Sequence, residues 1–95
     1  MSKVGIEAMN LFGGSASLDV AALARHRGLD TERFANLLMH EKGVALPCED
    51  PVTFAVNAAY PLLERMSPEQ RDSIELLITC TESGIDFSKS ISTYV

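Results

Sequence analysis

The sequence predicts an α/β fold, and three observations support that class. Residues 74–79 contain a continuous apolar run, which is typical of a strand buried on both faces. Asp50 followed by Pro51 is a strong helix start, and apolar residues recur after it at the spacing of one helix face. Predicted helices and strands also alternate along the chain, which favours an α/β architecture.

The amino-terminal part begins with a predicted strand over residues 4–9. This strand ends near Gly13-Gly14, where the backbone either turns or closely approaches a neighbouring segment. Asp19 is the predicted N-cap of a helix that runs to about Arg27, and Gly28 suits the end of that helix.

The middle of the chain contains two further predicted helices. The first is capped by Asp30 or Thr31 and runs through Leu38, and residues 42–47 then form either a weak strand or an extended loop. The second begins at Pro51, and its apolar stripe consists of Val52, Ala55, Val56, Ala59, Leu62, Leu63 and Met66. Pro61 lies inside this pattern and is expected to kink or divide the helix.

The carboxyl-terminal part combines a short helix, a strand and a possible last helix. Ser67-Pro68 starts the short helix by the same capping logic, the strand over residues 74–79 follows, and the last helix begins at Phe87 or Ser88. The sequence then stops in mid-pattern, without a helix-ending glycine or a polar tail. We therefore expect the beginning of a longer protein or one segment of a divided chain.

Composition limits the classes of function. At 95 residues, of which 46% are hydrophobic, the chain forms at most one small domain and is not wholly disordered. The net charge is −5 and the eight basic residues are dispersed, which argues against general binding to nucleic acids or anionic membranes. Arg25-His26-Arg27 is the only local basic concentration, and it is either a solvated helix end or an anion site.

The sequence also bears on the compartment and on the cysteines. No apolar stretch reaches the ~18–20 residues that span a bilayer, and the amino terminus has no signal-peptide pattern, so a cytoplasmic protein is expected. Cys48 and Cys80 have no metal-site spacing. They are expected to be free thiols, and no metal or diffusible redox cofactor is indicated.

Glu82 is the strongest candidate for chemistry, because it follows the predicted buried strand directly. Side chains at the carboxyl ends of strands line the usual ligand crevice of α/β proteins. Burial there raises the pKa of a carboxyl group and makes it a useful proton acceptor. The pattern alone leaves two possibilities open, since a solvated loop glutamate just past a strand has the same signature.

The same segments resemble the hydroxymethylglutaryl-CoA synthase family of the thiolase superfamily. The matching features are Val4-Gly5-Ile6-Glu7-Ala8, Leu29-Asp30 with Arg33-Phe34, Val56-Asn57-Ala58-Ala59, Thr81-Glu82-Ser83-Gly84-Ile85-Asp86 and Ser88-Lys89-Ser90. The resemblance covers essentially the whole chain, and the Thr-Glu-Ser element is its most specific part. It implies that residues 1–95 are the amino-terminal portion of a thiolase-like layered αβαβα fold.

Within the family, the sequence looks closest to the branch that works on acyl carrier proteins in polyketide β-branching. Residues 9–14 and 41–51 suggest that branch. Synthases of mevalonate biosynthesis usually have an aromatic-Val/Phe-Pro segment after the first strand, and Phe12-Gly13-Gly14 replaces it here. A synthase that uses acetyl-CoA and acetoacetyl-CoA remains the alternative.

The resemblance implies a site with three parts. A cysteine takes up an acetyl group, a glutamate removes a proton from its methyl group, and a histidine polarises the β-ketone acceptor. Glu82 matches the glutamate, and the nucleophilic cysteine and the catalytic histidine are expected beyond Val95. Ser83 and Asp86 are candidate supporting residues. Ser83, with Gly84, either shapes the turn and bonds to the Glu82 carboxylate or has a plain turn role. Asp86 and Lys89 either support the loop that carries Glu82 or merely flank it.

The remaining thiols and imidazoles do not match this site. Cys80 corresponds to a strand position of the family and is expected to be a buried, inert thiol. Cys48, His26 and His40 have no catalytic match. The resemblance further implies a homodimer with donor and acceptor acyl carrier proteins as partners. A small non-catalytic interaction module is the alternative from a different class.

Overall fold

The computed structural model describes residues 3–95 and contains two compact units. One unit is formed by the residues up to Phe12 together with Glu49–Val95, and the other by Gly13–Cys48. Both helices and strands are present, in agreement with the predicted mixed class.

The unit Gly13–Cys48 is a two-stranded antiparallel sheet with two short helices. Strand β1 (Ala16–Asp19) leads into helix α1 (Val20–His26), and helix α2 (Thr31–Asn36) is followed by strand β2 (Glu41–Val44). Ala16 pairs with Val44 and Asp19 with Glu41. Val20 and Ala24 lie one helical turn apart on α1, and both are buried, at 4% and 2% exposure. The predicted strand over 42–47 is thus present, although it begins and ends earlier than predicted.

Both predicted helix starts of this unit and the end of α1 are confirmed, and Asp30 is the cap where the sequence left Asp30 and Thr31 open. The Asp19 carboxylate accepts a hydrogen bond from the Ala22 amide, and the Asp30 carboxylate accepts one from the Glu32 amide at 2.9 Å. Each of these bonds satisfies a backbone donor that has no partner within its helix. Gly28 has a φ of +66°, as expected of a glycine that ends a helix. Helix α2 ends at Asn36, two residues before the predicted end at Leu38.

The Gly-Gly segment confirms the predicted close approach of the backbone. Gly14 has a φ of +90°, which glycine adopts without steric cost. A Cβ atom on Gly43 of β2 would lie 2.5 Å from the carbonyl oxygen of Gly13. The absence of a side chain at Gly43 therefore allows the two backbone segments to approach each other.

Helix α3 (Pro51–Glu64) is the longest element of the chain and begins where the sequence predicts. The Asp50 carboxylate accepts a hydrogen bond from the Thr53 amide at 2.8 Å, and the Thr53 hydroxyl accepts one from the Asp50 amide at 2.7 Å. This reciprocal pair is a capping box. Of the two predicted effects of Pro61, division of the helix is wrong, because α3 continues to Glu64. Pro61 lies in the last turn and removes only one helical hydrogen bond there.

Replacement of Asp50 by alanine should test this cap. We expect Asp50→Ala to lower the free energy of unfolding by about 0.5–2 kcal/mol, because the Thr53 amide loses its acceptor. Asp50→Asn is the matched control, since asparagine caps helices equally well without a charge. Urea unfolding of the protein that carries this chain measures both variants. Equal losses for the two would show that the charge, and not the cap, is what stabilises.

The residues after α3 are less regular than predicted. Helix α4 (Pro68–Asp72) is present, and Ser67 forms a capping box with Gln70. The helix predicted from Phe87 or Ser88 is wrong, because only a 3₁₀ turn, Ile91–Thr93, forms there. Serine and aspartate side chains compete with the backbone for hydrogen bonds. Asp86 accepts hydrogen bonds from the amide and hydroxyl of Ser88, and the hydroxyls of Ser90 and Ser92 bond with each other.

The two apolar strands predicted over residues 4–9 and 74–79 are also wrong for this structure. Among residues 3–95, β1 and β2 are the only strands, and they pair with each other. A strand needs a neighbouring backbone to form its ladder, and these two segments have none in the described part of the chain. Leu76 and Ile78 are consequently 74% and 72% exposed. No helix within the described residues is long and apolar enough to cross a membrane.

Candidate functional site

Glu82 lies in a bend that follows the irregular segment 74–81. The Ser83 amide donates a hydrogen bond to the Thr81 hydroxyl at 3.0 Å, and this bond closes the turn around Glu82. Ser83 therefore shapes the turn, which is one of the two roles that the sequence left open for it. In the other role Ser83 would bond to the Glu82 carboxylate, and no such hydrogen bond occurs in the described structure.

The apolar recess expected around Glu82 is not formed by residues 3–95. The Glu82 side chain is exposed, and so are the apolar side chains of Leu76, Leu77 and Ile78 that precede it. The Thr79 hydroxyl is buried, yet it has no hydrogen-bond partner among the described residues. A buried hydroxyl without a partner is uncommon in a fully packed protein. In the segment before Glu82, the described chain thus neither covers the apolar side chains nor provides a hydrogen-bond partner for the Thr79 hydroxyl.

One concavity of the described structure does not involve Glu82. It is an open cleft of about 390 Å³ in the unit that contains α3. Its lining consists of Glu7, Ala8, Met9, Leu62, Arg65, Met66 and Gln70. The Gln70 amide donates to the Glu7 carboxylate at 3.4 Å, which closes part of this cleft with the protein's own groups.

Residues 7–12 lie along α3 through side-chain contacts and not through a strand ladder. The Asn10 amide donates to the carbonyl of Ala58 at 2.7 Å, and Arg65 donates to the Asn10 side-chain oxygen at 3.4 Å. The ring of Phe12 meets that of Phe54 edge to face, with 5.4 Å between their centroids. These contacts hold residues 7–12, which belong to the segments that resemble the synthase family, against α3.

The cysteines and the histidines are all exposed. Cys48 and Cys80 are both free and exposed, so the expectation that Cys80 is buried is wrong. Cys80 is exposed because the segment that carries it lacks a strand partner. His26 and His40 lie in the other unit and are exposed. No group of three or more potential metal ligands occurs among the described residues.

Asp86, four residues after Glu82, accepts hydrogen bonds at both of its carboxylate oxygens. One carboxylate oxygen accepts hydrogen bonds from the amide and the hydroxyl of Ser88, each at 2.7 Å. The other oxygen accepts one from the Tyr94 hydroxyl at 2.9 Å. The Ser88 amide, the Ser88 hydroxyl and then the Tyr94 hydroxyl stabilise the charged form and lower the pKa of Asp86 to about 2. The same bond to Asp86 raises the pKa of Tyr94.

Sequence reasoning singled out Asp86 and missed its two partners. An aspartate side chain commonly forms a turn by bonding to the backbone amide two residues further on. The sequence Asp86-Phe87-Ser88 therefore indicated Ser88 as a possible partner. Tyr94, eight residues after Asp86, offered no local signal. The Nζ atom of Lys89 lies 6.0 Å from the centre of the Tyr94 ring.

Similarity to known proteins is high along the whole chain. No protein-family profile matches it. It is 66% identical, over all 95 residues, to the polyketide biosynthesis 3-hydroxy-3-methylglutaryl-ACP synthase PksG of Bacillus subtilis. It is 36% identical, over 97 aligned residues, to the hydroxymethylglutaryl-CoA synthase of Haloferax volcanii.

Solved structures give the same result. The structure of PksG from Bacillus subtilis covers 95% of the chain with a TM-score of 0.85 and 69% identity. The HMG synthase of the curacin biosynthetic pathway covers 95% with a TM-score of 0.83 and 57% identity. The fold is therefore that of the amino-terminal portion of these thiolase-like synthases.

The alignments cover all of this chain but only part of the length of each relative. The chain spans 23% of the length of PksG and 22% of that of the Haloferax volcanii synthase. It aligns with the amino-terminal part of the former. By sequence over all its residues and by fold over nearly all of them, the chain is similar to the amino-terminal part of synthases of the hydroxymethylglutaryl-CoA synthase family.

Proposed function

We propose that this chain is the amino-terminal part of an acyltransferase that forms a carbon–carbon bond. The whole enzyme condenses an acetyl thioester with a β-ketoacyl thioester on an acyl carrier protein and produces a hydroxymethylglutaryl-like β-branch. One observation carries the choice of branch. Identity is 66% to the ACP synthase PksG but 36% to a CoA synthase, over closely similar lengths.

In this proposal Glu82 is the general base. Its carboxylate takes a proton from the methyl group of the enzyme-bound acetyl thioester, and the electron pair of the broken C–H bond forms an enolate. The enolate carbon then attacks the β-carbonyl of the acceptor, and the resulting alkoxide receives a proton. Such a weak carbon acid demands a base that is held close to the methyl group and shielded from water. The nucleophilic cysteine and the histidine come from residues beyond Val95.

The exposed segment before Glu82 supports the idea that further chain completes the site. Ile74, Leu76 and Ile78 present apolar surface, and the Thr79 hydroxyl lacks a partner in the described chain. Segments equivalent to the remaining three quarters of PksG would pair with residues 74–79 as a strand and enclose Glu82. Burial of this kind supplies the dry surroundings that the base requires.

The proposed partners follow from the relatives. The curacin HMG synthase has been solved in complex with apo donor-ACP and with acetyl donor-ACP. By analogy, donor and acceptor acyl carrier proteins are the partners of the enzyme that contains this chain. We further propose that this enzyme is a cytoplasmic homodimer without a metal or redox cofactor, and that its substrates are the acyl thioesters.

Comparison of substrate carriers tests the proposed branch. Acetyl and acetoacetyl groups are presented to the whole enzyme on acyl carrier proteins, on CoA or on free pantetheine, and kcat/KM is compared. We expect the highest kcat/KM with both groups on carrier proteins, because contacts with the carrier add to those of the shared pantetheine arm. Free pantetheine is the control for the reactivity of the thioester itself. A preference for CoA would instead favour the mevalonate-type alternative.

A further inference from the structure

We propose that Tyr94 is a positioning residue for the loop that carries Glu82, and that it acts by holding the carboxylate of Asp86. The inference deepens the proposed function and rests on the assignment of Glu82 as the base. It concerns a residue that has no other assigned role.

Asp86 follows Glu82 by four residues, and both of its carboxylate oxygens are occupied. Ser88 bonds to one oxygen and so fixes the turn locally. Tyr94 bonds to the other at 2.9 Å and is the only one of these partners that lies outside the loop. The Tyr94 hydroxyl therefore joins the Glu82 loop to a different part of the unit.

The residue at the other end of this connection is well anchored. Tyr94 donates its amide to the carbonyl of Ile91 at 2.9 Å, within the 3₁₀ turn Ile91–Thr93. Ile91 is 6% exposed, the lowest exposure among the described residues of its unit, and this turn contacts α3. The contact of this turn with α3 thus fixes the position of Tyr94, and the Tyr94 hydroxyl in turn fixes the position of the Asp86 carboxylate.

The loop needs such a connection because its own backbone provides little order. Residues 74–90 contain no helix or strand, and Ser83 and Gly84 stand directly after Glu82. Small residues in an irregular segment leave many backbone conformations accessible. Proton transfer from carbon is sensitive to the position of the base, and a displacement of about 1 Å can cost about 10²-fold in rate.

Tyr94→Phe in the whole enzyme tests the proposal, since it removes one hydroxyl and keeps the ring. We expect condensation to slow by about 10- to 100-fold, whereas acetyl transfer to the nucleophile and KM for the acyl substrates stay unchanged. Tyr60→Phe, at an exposed tyrosine of α3, is the matched control and should leave both half-reactions intact. Equal losses in both half-reactions, or none in either, would overturn the assignment of Tyr94.

A double-mutant cycle with Asp86→Asn tests whether the two residues act as one unit. If Tyr94 works through Asp86, the double variant should condense no more slowly than the slower single variant. Multiplicative losses would refute the connection. Glu82→Gln keeps the two proposals apart: normal condensation by that variant rejects Glu82 as the base, whereas normal condensation by Tyr94→Phe rejects only the positioning role.

Discussion

Glu82→Gln in the whole enzyme should lower the rate of condensation by about 10²- to 10⁴-fold, which is the usual contribution of a positioned general base. Glutamine has nearly the shape of glutamate but cannot accept the proton from the acetyl methyl group. Acetyl transfer to the nucleophile does not require this proton transfer, so the acetyl-enzyme should still accumulate. Mass spectrometry of the trapped acetyl-enzyme and an assay of condensed product measure the two steps separately.

A neighbouring glutamate provides the control for this prediction. Glu75 is exposed, belongs to the same irregular segment and loses the same charge when it is changed to glutamine. Glu75→Gln should therefore condense at the normal rate. Normal condensation by Glu82→Gln would remove the basis of the catalytic assignment, and a loss of both steps would indicate a folding defect instead.

The isolated 95-residue chain should unfold without a sharp transition and should bind an apolar dye. Among the described residues, only three apolar side chains are buried, Val20 and Ala24 in one unit and Ile91 in the other. Large apolar side chains stay exposed along residues 4–11 and 74–78, including Val4 at 97% and Leu76 at 74%. Such extended apolar surface is unusual for a soluble monomer and favours dye binding.

Thermal unfolding followed by circular dichroism, together with dye fluorescence, tests this expectation. The whole enzyme is the control and should melt cooperatively with little dye fluorescence, because the remaining chain would cover these side chains. A sharp melt of the isolated chain without dye binding would contradict the proposal of a synthase segment. That result would favour the alternative of a small interaction module.

Local chemistry explains what could be predicted from the sequence. The helix starts at Asp19, Asp50 and Ser67 were predicted at the right residue, and Asp30 was one of two predicted caps, because a cap and its helix lie within a few positions of each other. The close approach at Gly13 was also predicted from local chemistry, because glycine has no Cβ atom and allows another backbone to come near.

Long-range partners explain what could not be predicted. The apolar run within residues 74–79 indicates that this segment can form a buried strand. The strand forms only where another backbone pairs with it. The bond between Asp86 and Tyr94 depends in the same way on how the last turn lies against the loop. Glu82 was proposed from its sequence context and family resemblance, whereas the described residues form no surface that encloses it.

The hydrogen-bonded state of Asp86 has a consequence for kinetic titrations. Its pKa, about 2, lies below the ordinary value of 3.8, so the stabilising effect is complete above about pH 4 and is lost only as the pH falls through 2. Tyr94 has its pKa raised from 10, so its proton also stays in place through neutrality. The pair keeps one ionisation state over the whole range in which enzymes are assayed. Any inflection in a rate profile near neutral pH would therefore report on another group.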